Sequence, residues 1–317
     1  MKKHWVCLPG NKLQRTIQGW LAPPDPWKNH NIANRSRHSG AGAWFVQDGM
    51  LSEWTASGPS SLLWIHGKRR SLSNSFPPAE VDCFLLLVAG AGKSVLWCVM
   101  TSSSTFSSWE LTVLASSAII EEIEVMRKSG LASLAFYYHD FREEQKKGLR
   151  GLLSSVLFQL CTQSDCYYDI ISRFYSTHHG ARKPSNDELL RPLKELLGSP
   201  GQAPVYLIID GLDECPNTSK SPMRSPREEM LMLLEQLARS RLTNLRLCVT
   251  SQPEIDIKTV LEPLTFRSIS IHDERGQKVD IEKYIRSVVN TGQMNRTWKQ
   301  EDKELVTNTL TERANGM

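Results

Sequence analysis

The chain has 317 residues, 40% of them apolar, and a net charge of +4 from 38 basic against 34 acidic side chains. That much apolar content buries one large core or two modest ones, so a single α/β domain with a lead-in and a tail is the expectation. The charges are dispersed, which excludes the basic footprint of a nucleic-acid binder, and short basic runs at 68–70 and 142–147 read as solvated faces.

Seven cysteines, an odd number at irregular spacing, argue against a disulfide framework and for a reducing, cytoplasmic setting. Cys161 and Cys166 are too far apart for a C-x-x-C motif, and Cys248 sits in an apolar run as a core residue does. The first residues, Met1-Lys2-Lys3-His4-Trp5, lack the apolar stretch of a signal peptide, and the longest apolar run, 83–91, is far short of a membrane span.

In chain order, residues 1 to 58 form a lead-in rich in Trp, Pro, Asn and His, where Pro23-Pro24-Asp25-Pro26 forbids a continuous helix. The spacing of Trp44, Met50, Leu51 and Trp54 predicts a helix over 44–54, ended by Gly58-Pro59. Residues 62–66 are a short apolar run stopping at Gly67, the pattern of a buried strand entering a loop. A helix is predicted over 119–128, a strand over 131–137 and an amphipathic helix over 149–162. Ser185-x-x-Glu188 is a capping box for a helix through Leu197 that must absorb Pro192 or kink there. Residues 205–209 are the most apolar strand. Ser225-Pro226-x-Glu228 starts a helix running to Arg239. Strands at 245–250 and 266–271 and a helix at 279–289 complete the pattern. Strands alternating with helices imply βαβ units, hence a mainly parallel sheet with helices on both faces. Two segments break the alternation, 69–89 and 97–117. Each interrupts an element that ought to be continuous.

Two motifs carry chemistry. The strand at 205–209 runs into Asp210-Gly211-Leu212-Asp213-Glu214. A triphosphatase needs a carboxylate at a strand end to hold Mg²⁺ and a second acid to polarise water, and Asp210 suits the first role, Asp213 or Glu214 the second. Upstream stands Gly90-Ala91-Gly92-Lys93-Ser94. Its glycines free backbone N–H groups for phosphate, Lys93 supplies charge and Ser94 a hydroxyl for the metal. The full signature G-x-x-x-x-G-K-[ST] requires Gly at position 87, where this chain has Leu87. Taken alone, the glycine string is equally a flexible turn before a helix. Thr250-Ser251-Gln252-Pro253 is either a γ-phosphate sensor or an ordinary strand-end turn.

Together these residues resemble the NACHT family of signal-transducing P-loop NTPases, in particular the fungal type related to heterokaryon-incompatibility and ankyrin-repeat receptors. The resemblance is carried by Trp20-Leu21-Ala22-Pro23-Pro24-Asp25-Pro26 with Asn29-His30-Asn31, Leu63-Trp64-Ile65-His66-Gly67-Lys68, Phe136-Tyr137-Tyr138-His139-Asp140-Phe141, the D-G-L-D-E strand, Val249-Thr250-Ser251, and Asp280-Ile281-x-x-Tyr284-Ile285, all in order. It implies a P-loop three-layer α/β fold over 59–272, with 273–317 the start of a helical extension. In that family pattern the first strand runs unbroken into H-G-K-P-G-x-G-K-S. Replacing 69–89 by a single residue makes Gly67 the missing first Gly, and removing 97–117 joins Lys93-Ser94-Val95-Leu96 to the helix at Ala118. Both segments have the character of retained introns; the alternative is a divergent protein whose loop has lost nucleotide.

The resemblance further implies ATP or GTP with Mg²⁺ as cofactors. Gly67, Gly90, Gly92, Lys93 and Ser94 would hold phosphate, Ser94 and Asp210 the metal, and Asp213 and Glu214 would be catalytic. Binding and slow hydrolysis would work as a conformational switch. Self-association or protein partners would act through regions beyond the chain, with neither nucleic acid nor membrane as partner. Gln252 stands where the family has Arg, which removes a charge from the sensing position. The competing class is a non-enzymatic scaffold that keeps the sheet as an interaction module.

Overall fold

In the computed structural model, which describes residues 12–36, 49–58, 61–67, 108–178, 182–218, 224–240, 242, 244–270, 286, 289 and 298–315, five strands form one sheet. They are β1 (Ser61–His66), β2 (Ser133–Tyr138), β3 (Val205–Asp210), β4 (Leu245–Ser251) and β5 (Thr265–Ser270), in the order β2-β3-β4-β1-β5, and every pairing is parallel. A parallel sheet must be covered on both faces, so its strands read as unbroken apolar runs. β2 and β3 are buried at every position.

Alternation along the strands divides the core in two. Leu62, Trp64, Ala135, Tyr137, Leu207, Ile209, Leu247 and Val249 face the larger cluster. Around them pack α1 (Lys12–Leu21), α5 (Leu149–Cys161), α6 (Asp165–Thr177), α7 (Asn186–Leu197), α8 (Pro226–Arg239) and α9 (Ile255–Leu261). The opposite face carries Leu63, Ile65, Phe136, Tyr138, Tyr206, Ile208 and Cys248 under α3 (Met50–Ala56) and α4 (Ser108–Lys128). Between α1 and α2 (Trp27–Ser36) runs the proline-rich turn, where Asp25 Oδ1 accepts the Trp27 N–H at 2.9 Å. A final helix, α10 (Gln300–Asn315), follows.

Both capping boxes form. Ser185 accepts from the Glu188 N–H at 3.3 Å, and Ser225 accepts from the Glu228 N–H at 3.2 Å. In each case the glutamate returns the bond to the serine N–H. Pro192 is absorbed: α7 continues through it, and the ring, which cannot donate a hydrogen bond, lies on the buried face beside Leu189, Leu193 and Leu196. The helix expected over 44–54 is shorter at its start, running Met50–Ala56, because Gly49 in the left-handed region caps it and breaks any continuation from Trp44; the glycine string, Leu87 and nearly all of 279–289 lie outside the described residues.

The structure departs from expectation in α4. It begins at Ser108 rather than Ile119, so the last part of the segment 97–117 belongs to the helix. Ala115, Ser116 and Ser117 are already buried against the sheet. Helix α6 and the short helix α9 were not expected; α6 follows α5 after only three residues, a break too brief for periodicity to separate.

The connections place the site. The chain leaves β1 toward β2 at one edge, through α4 on one face, and leaves β4 toward β5 at the other edge, through α9 on the opposite face. Adjacent strands whose connections depart in opposite directions open a crevice at their carboxyl ends, where open α/β sheets bind ligands. Here that crevice lies between β1 and β4, with the end of β3 beside it.

Candidate functional site

Asp210 ends β3 and is 3% exposed. It shares strand parity with Tyr206 and Ile208, so it faces the α4 side of the sheet. On the neighbouring strand Thr250 is fully buried, and its hydroxyl donates to Asp210 Oδ1 at 2.6 Å while accepting the Gly211 N–H at 3.1 Å. Ser116 of α4 also donates to Asp210. Burial pushes this carboxyl up to about 6, against the pull of those two hydroxyls, and the negative charge of Asp213 adds to the rise.

Gly211 lets the chain turn. Its φ of 71° is in the left-handed region, where a side chain is disfavoured, and the turn carries a short 3₁₀ segment, Leu212–Glu214. Leu212 drops into the core and Asp213 and Glu214 remain half-buried. Asp213 Oδ1 accepts the Gln252 N–H at 3.0 Å, which ties this turn to the end of β4. Glu214 Oε2 accepts the Phe141 N–H at 3.3 Å, which ties it to the end of β2. Burial pushes the Glu214 carboxyl up to about 7, with the Phe141 amide opposing and Asp210, Asp213 and Asp140 adding to the rise. Burial raises Asp213 as well, while the Gln252 amide holds it down. Three carboxylates therefore share one low-dielectric end of the sheet, two of them ionising near neutral pH.

Around them the scaffold is tied by polar contacts. Trp64 Nε1 donates to Ser251 Oγ at 2.9 Å, fixing the end of β4 against β1. His66 lies opposite Ser251, so buried Gly67 leaves β1 where Gln252 leaves β4. His139 follows β2; its N–H donates to the Asp210 carbonyl at 2.9 Å and its ring pairs with the Lys146 carbonyl, burial pushing the imidazole down to about 4. Asp140 is held near 2, chiefly by the Arg142 guanidinium.

Of the residues expected to carry chemistry, Asp210, Asp213 and Glu214 are brought together with Thr250 and Gln252, and Gly67 emerges on the adjacent strand. Gly90, Gly92, Lys93 and Ser94 lie outside the described residues. Sequence reasoning missed Ser116, set aside within an interrupting segment, and Arg227. A basic residue directly after the Ser-Pro start of a helix was the available signal for the latter, since a cation is unfavourable there.

Among the described residues no helix is long and apolar enough to cross a membrane, and no group of three or more His, Cys, Asp and Glu side chains is arranged to hold a metal ion. No curated protein matches the chain. A family model does match residues 111–252, from α4 to the end of β4, and so contains Asp210, Asp213, Glu214 and Thr250; this part of the chain is similar to the family described as nephrocystin 3, N-terminal, a NACHT-associated region.

Proposed function

We propose that the chain is the core of a NACHT-type signalling NTPase, of the incompatibility-receptor kind its sequence resembles. It would bind ATP or GTP with Mg²⁺ and hydrolyse it slowly to reset a conformational switch. One observation carries the reading: a buried aspartate at the end of a central strand, gripped by a hydroxyl from the next strand, beside the crevice that the strand order opens.

The donor set fits Mg²⁺. That ion prefers oxygen ligands and usually takes one or two carboxylates, completing its shell with phosphate and water. Asp210 is such a carboxylate, and Ser94 would add its hydroxyl. Held by these residues, the ion would supply positive charge to the phosphates. Gly67, Gly90 and Gly92 would let backbone N–H groups approach the phosphates, and Lys93 would contribute its charge. Glu214, with a carboxyl near 7, is poised to hold a water and take its proton at neutral pH, and Asp213 fixes Gln252 at the edge of the crevice. Thr250 and Ser116 both donate to the Asp210 carboxylate and so fix its orientation at the end of β3.

The test is binding of fluorescent ATP and GTP analogues, with and without Mg²⁺, to the full chain, to Lys93→Ala, to Asp210→Asn and to a shortened chain in which a single residue replaces 69–89. The expected result is saturable binding that Lys93→Ala abolishes and that loses its Mg²⁺ dependence in Asp210→Asn. Binding by neither the full nor the shortened chain overturns the reading in favour of a scaffold.

A further inference from the structure

Arg227 occupies the second position of α8, where the helix dipole disfavours a cation, and its side chain is 6% exposed. Burying a guanidinium at the wrong end of a helix is costly unless its donors are all used. They are used on two turns. Nε donates to the Cys215 carbonyl at 2.8 Å and one terminal nitrogen to the Asp213 carbonyl at 2.5 Å, both on the turn after β3. The other terminal nitrogen meets Glu254 Oε2 at 2.5 Å and Asp256 Oδ2 at 3.4 Å, both beyond the end of β4.

A second link closes the ring. Asp213 Oδ1 accepts the Gln252 N–H at 3.0 Å, and the Glu254 N–H returns to the Gln252 carbonyl at 2.9 Å. The turn carrying Asp213 and Glu214 and the turn leaving Thr250 are thus joined twice, once through Gln252 and once through Arg227. We infer that Arg227 is a positioning residue that makes these two turns one mechanical unit, so that a ligand contacting the end of β4 sets the placement of the acids after β3. The inference rests on the NTPase reading for its consequence in catalysis, but its structural content does not. A lysine could reach one side of this ring only, because it lacks the planar fork.

Hydrogen exchange on the full chain without nucleotide tests the coupling. In Arg227→Gln, amides at 211–216 and at 251–256 should exchange about tenfold faster, with β2 and α5 unchanged. Glu254→Gln, which keeps the bonds to Asp213 and Cys215, should loosen both turns in the same proportion to each other, though less. Faster exchange at one turn only, or a uniform rise through the whole sheet, overturns the inference. Hydrolysis supplies the second readout: Arg227→Lys should lower kcat about tenfold to a hundredfold while nucleotide affinity changes less than about twofold. Equal losses in both overturn the positioning role. A wild-type chain that binds no nucleotide overturns the NTPase reading instead, and the exchange pattern then decides the role of Arg227.

Discussion

The free edge of β2 and the acidic end of β3 both hold buried polar groups close together, and they solve that problem in opposite ways. Along β2, Gln159 of α5 and Gln163, in the turn that follows α5, stand in for a missing strand. Gln159 accepts the Phe136 N–H at 3.1 Å and donates to the Phe136 carbonyl at 2.7 Å. Gln163 does the same for Leu134 at 2.9 and 2.6 Å. Helix spacing of four matches strand spacing of two, so each amide meets one outward-facing peptide. Every donor has an acceptor, no charge is present, and an edge open to pairing with other chains is closed. At the end of β3 the groups are carboxylates, crowded against one another and shifted upward by burial. A buried polar network that serves stability alone is neutral and reciprocal. One that keeps like charges together gives up stability for something else, which in the function proposed above is the handling of a phosphate and its metal.

That contrast can be broken or sharpened by substitution. The largest effect is expected at Gly151 in α5, where an added Cβ would overlap the Gln145 carbonyl and crowd the Tyr137 hydroxyl. Gly151→Ala should cost about 3 kcal/mol or more, read by urea denaturation, because the helix must lift away from β2 and carry its glutamines with it. Gln159→Ala should cost about 2 kcal/mol by the same measurement, since it strands a buried N–H and a buried carbonyl, and it should increase aggregation through the reopened edge. Thr250→Val should cost less, about 1 kcal/mol, because the loss of a donor to Asp210 is partly offset by the protonation of an acid that burial already favours.

The smallest effect is a slope. Asp210 and Glu214 have folded-state values near 6 and 7, above their ordinary 3.8 and 4.5, so the folded state binds more protons than the unfolded between those limits. Their contribution to stability is therefore complete below about pH 4 and is lost as pH rises toward 7. His139 runs the other way: with its folded value lowered from 6.5 to about 4, it stabilises above 6.5 and loses that contribution as pH falls through 4. Melting temperatures from pH 4 to 7.5 in a chelator should show the Asp210→Asn, Glu214→Gln double variant gaining on wild type as pH rises. A constant difference between the two would remove the acids from the account.

Much of the scaffold was legible because local rules decided it. The apolar run at 205–209 could only be a buried strand, and the two Ser-x-x-Glu boxes marked helix starts that formed as expected. The start of α4 was not legible. A Ser- and Leu-rich segment has no strong period of its own, and it is packing of Ala115, Ser116 and Ser117 against the sheet that draws it into the helix. The acidic half of the site was visible as a string of residues, whereas its partners were not. Thr250 is forty residues from Asp210, and Arg227 reaches Glu254 and Asp256 across a helix and a strand.

The sequence by itself determined the α/β class, the parallel sheet and the identity of the acids, since strand burial, helix caps and a carboxylate at a strand end are set by neighbours within a few residues. The tertiary structure alone decided the strand order, which sets where the crevice opens, and the burial that moves Asp210 and Glu214 toward neutrality. It also decided the ring through Arg227 and Gln252. Each of these depends on groups far apart in the chain being brought into a medium of low dielectric, where their charges and hydrogen bonds act on one another strongly.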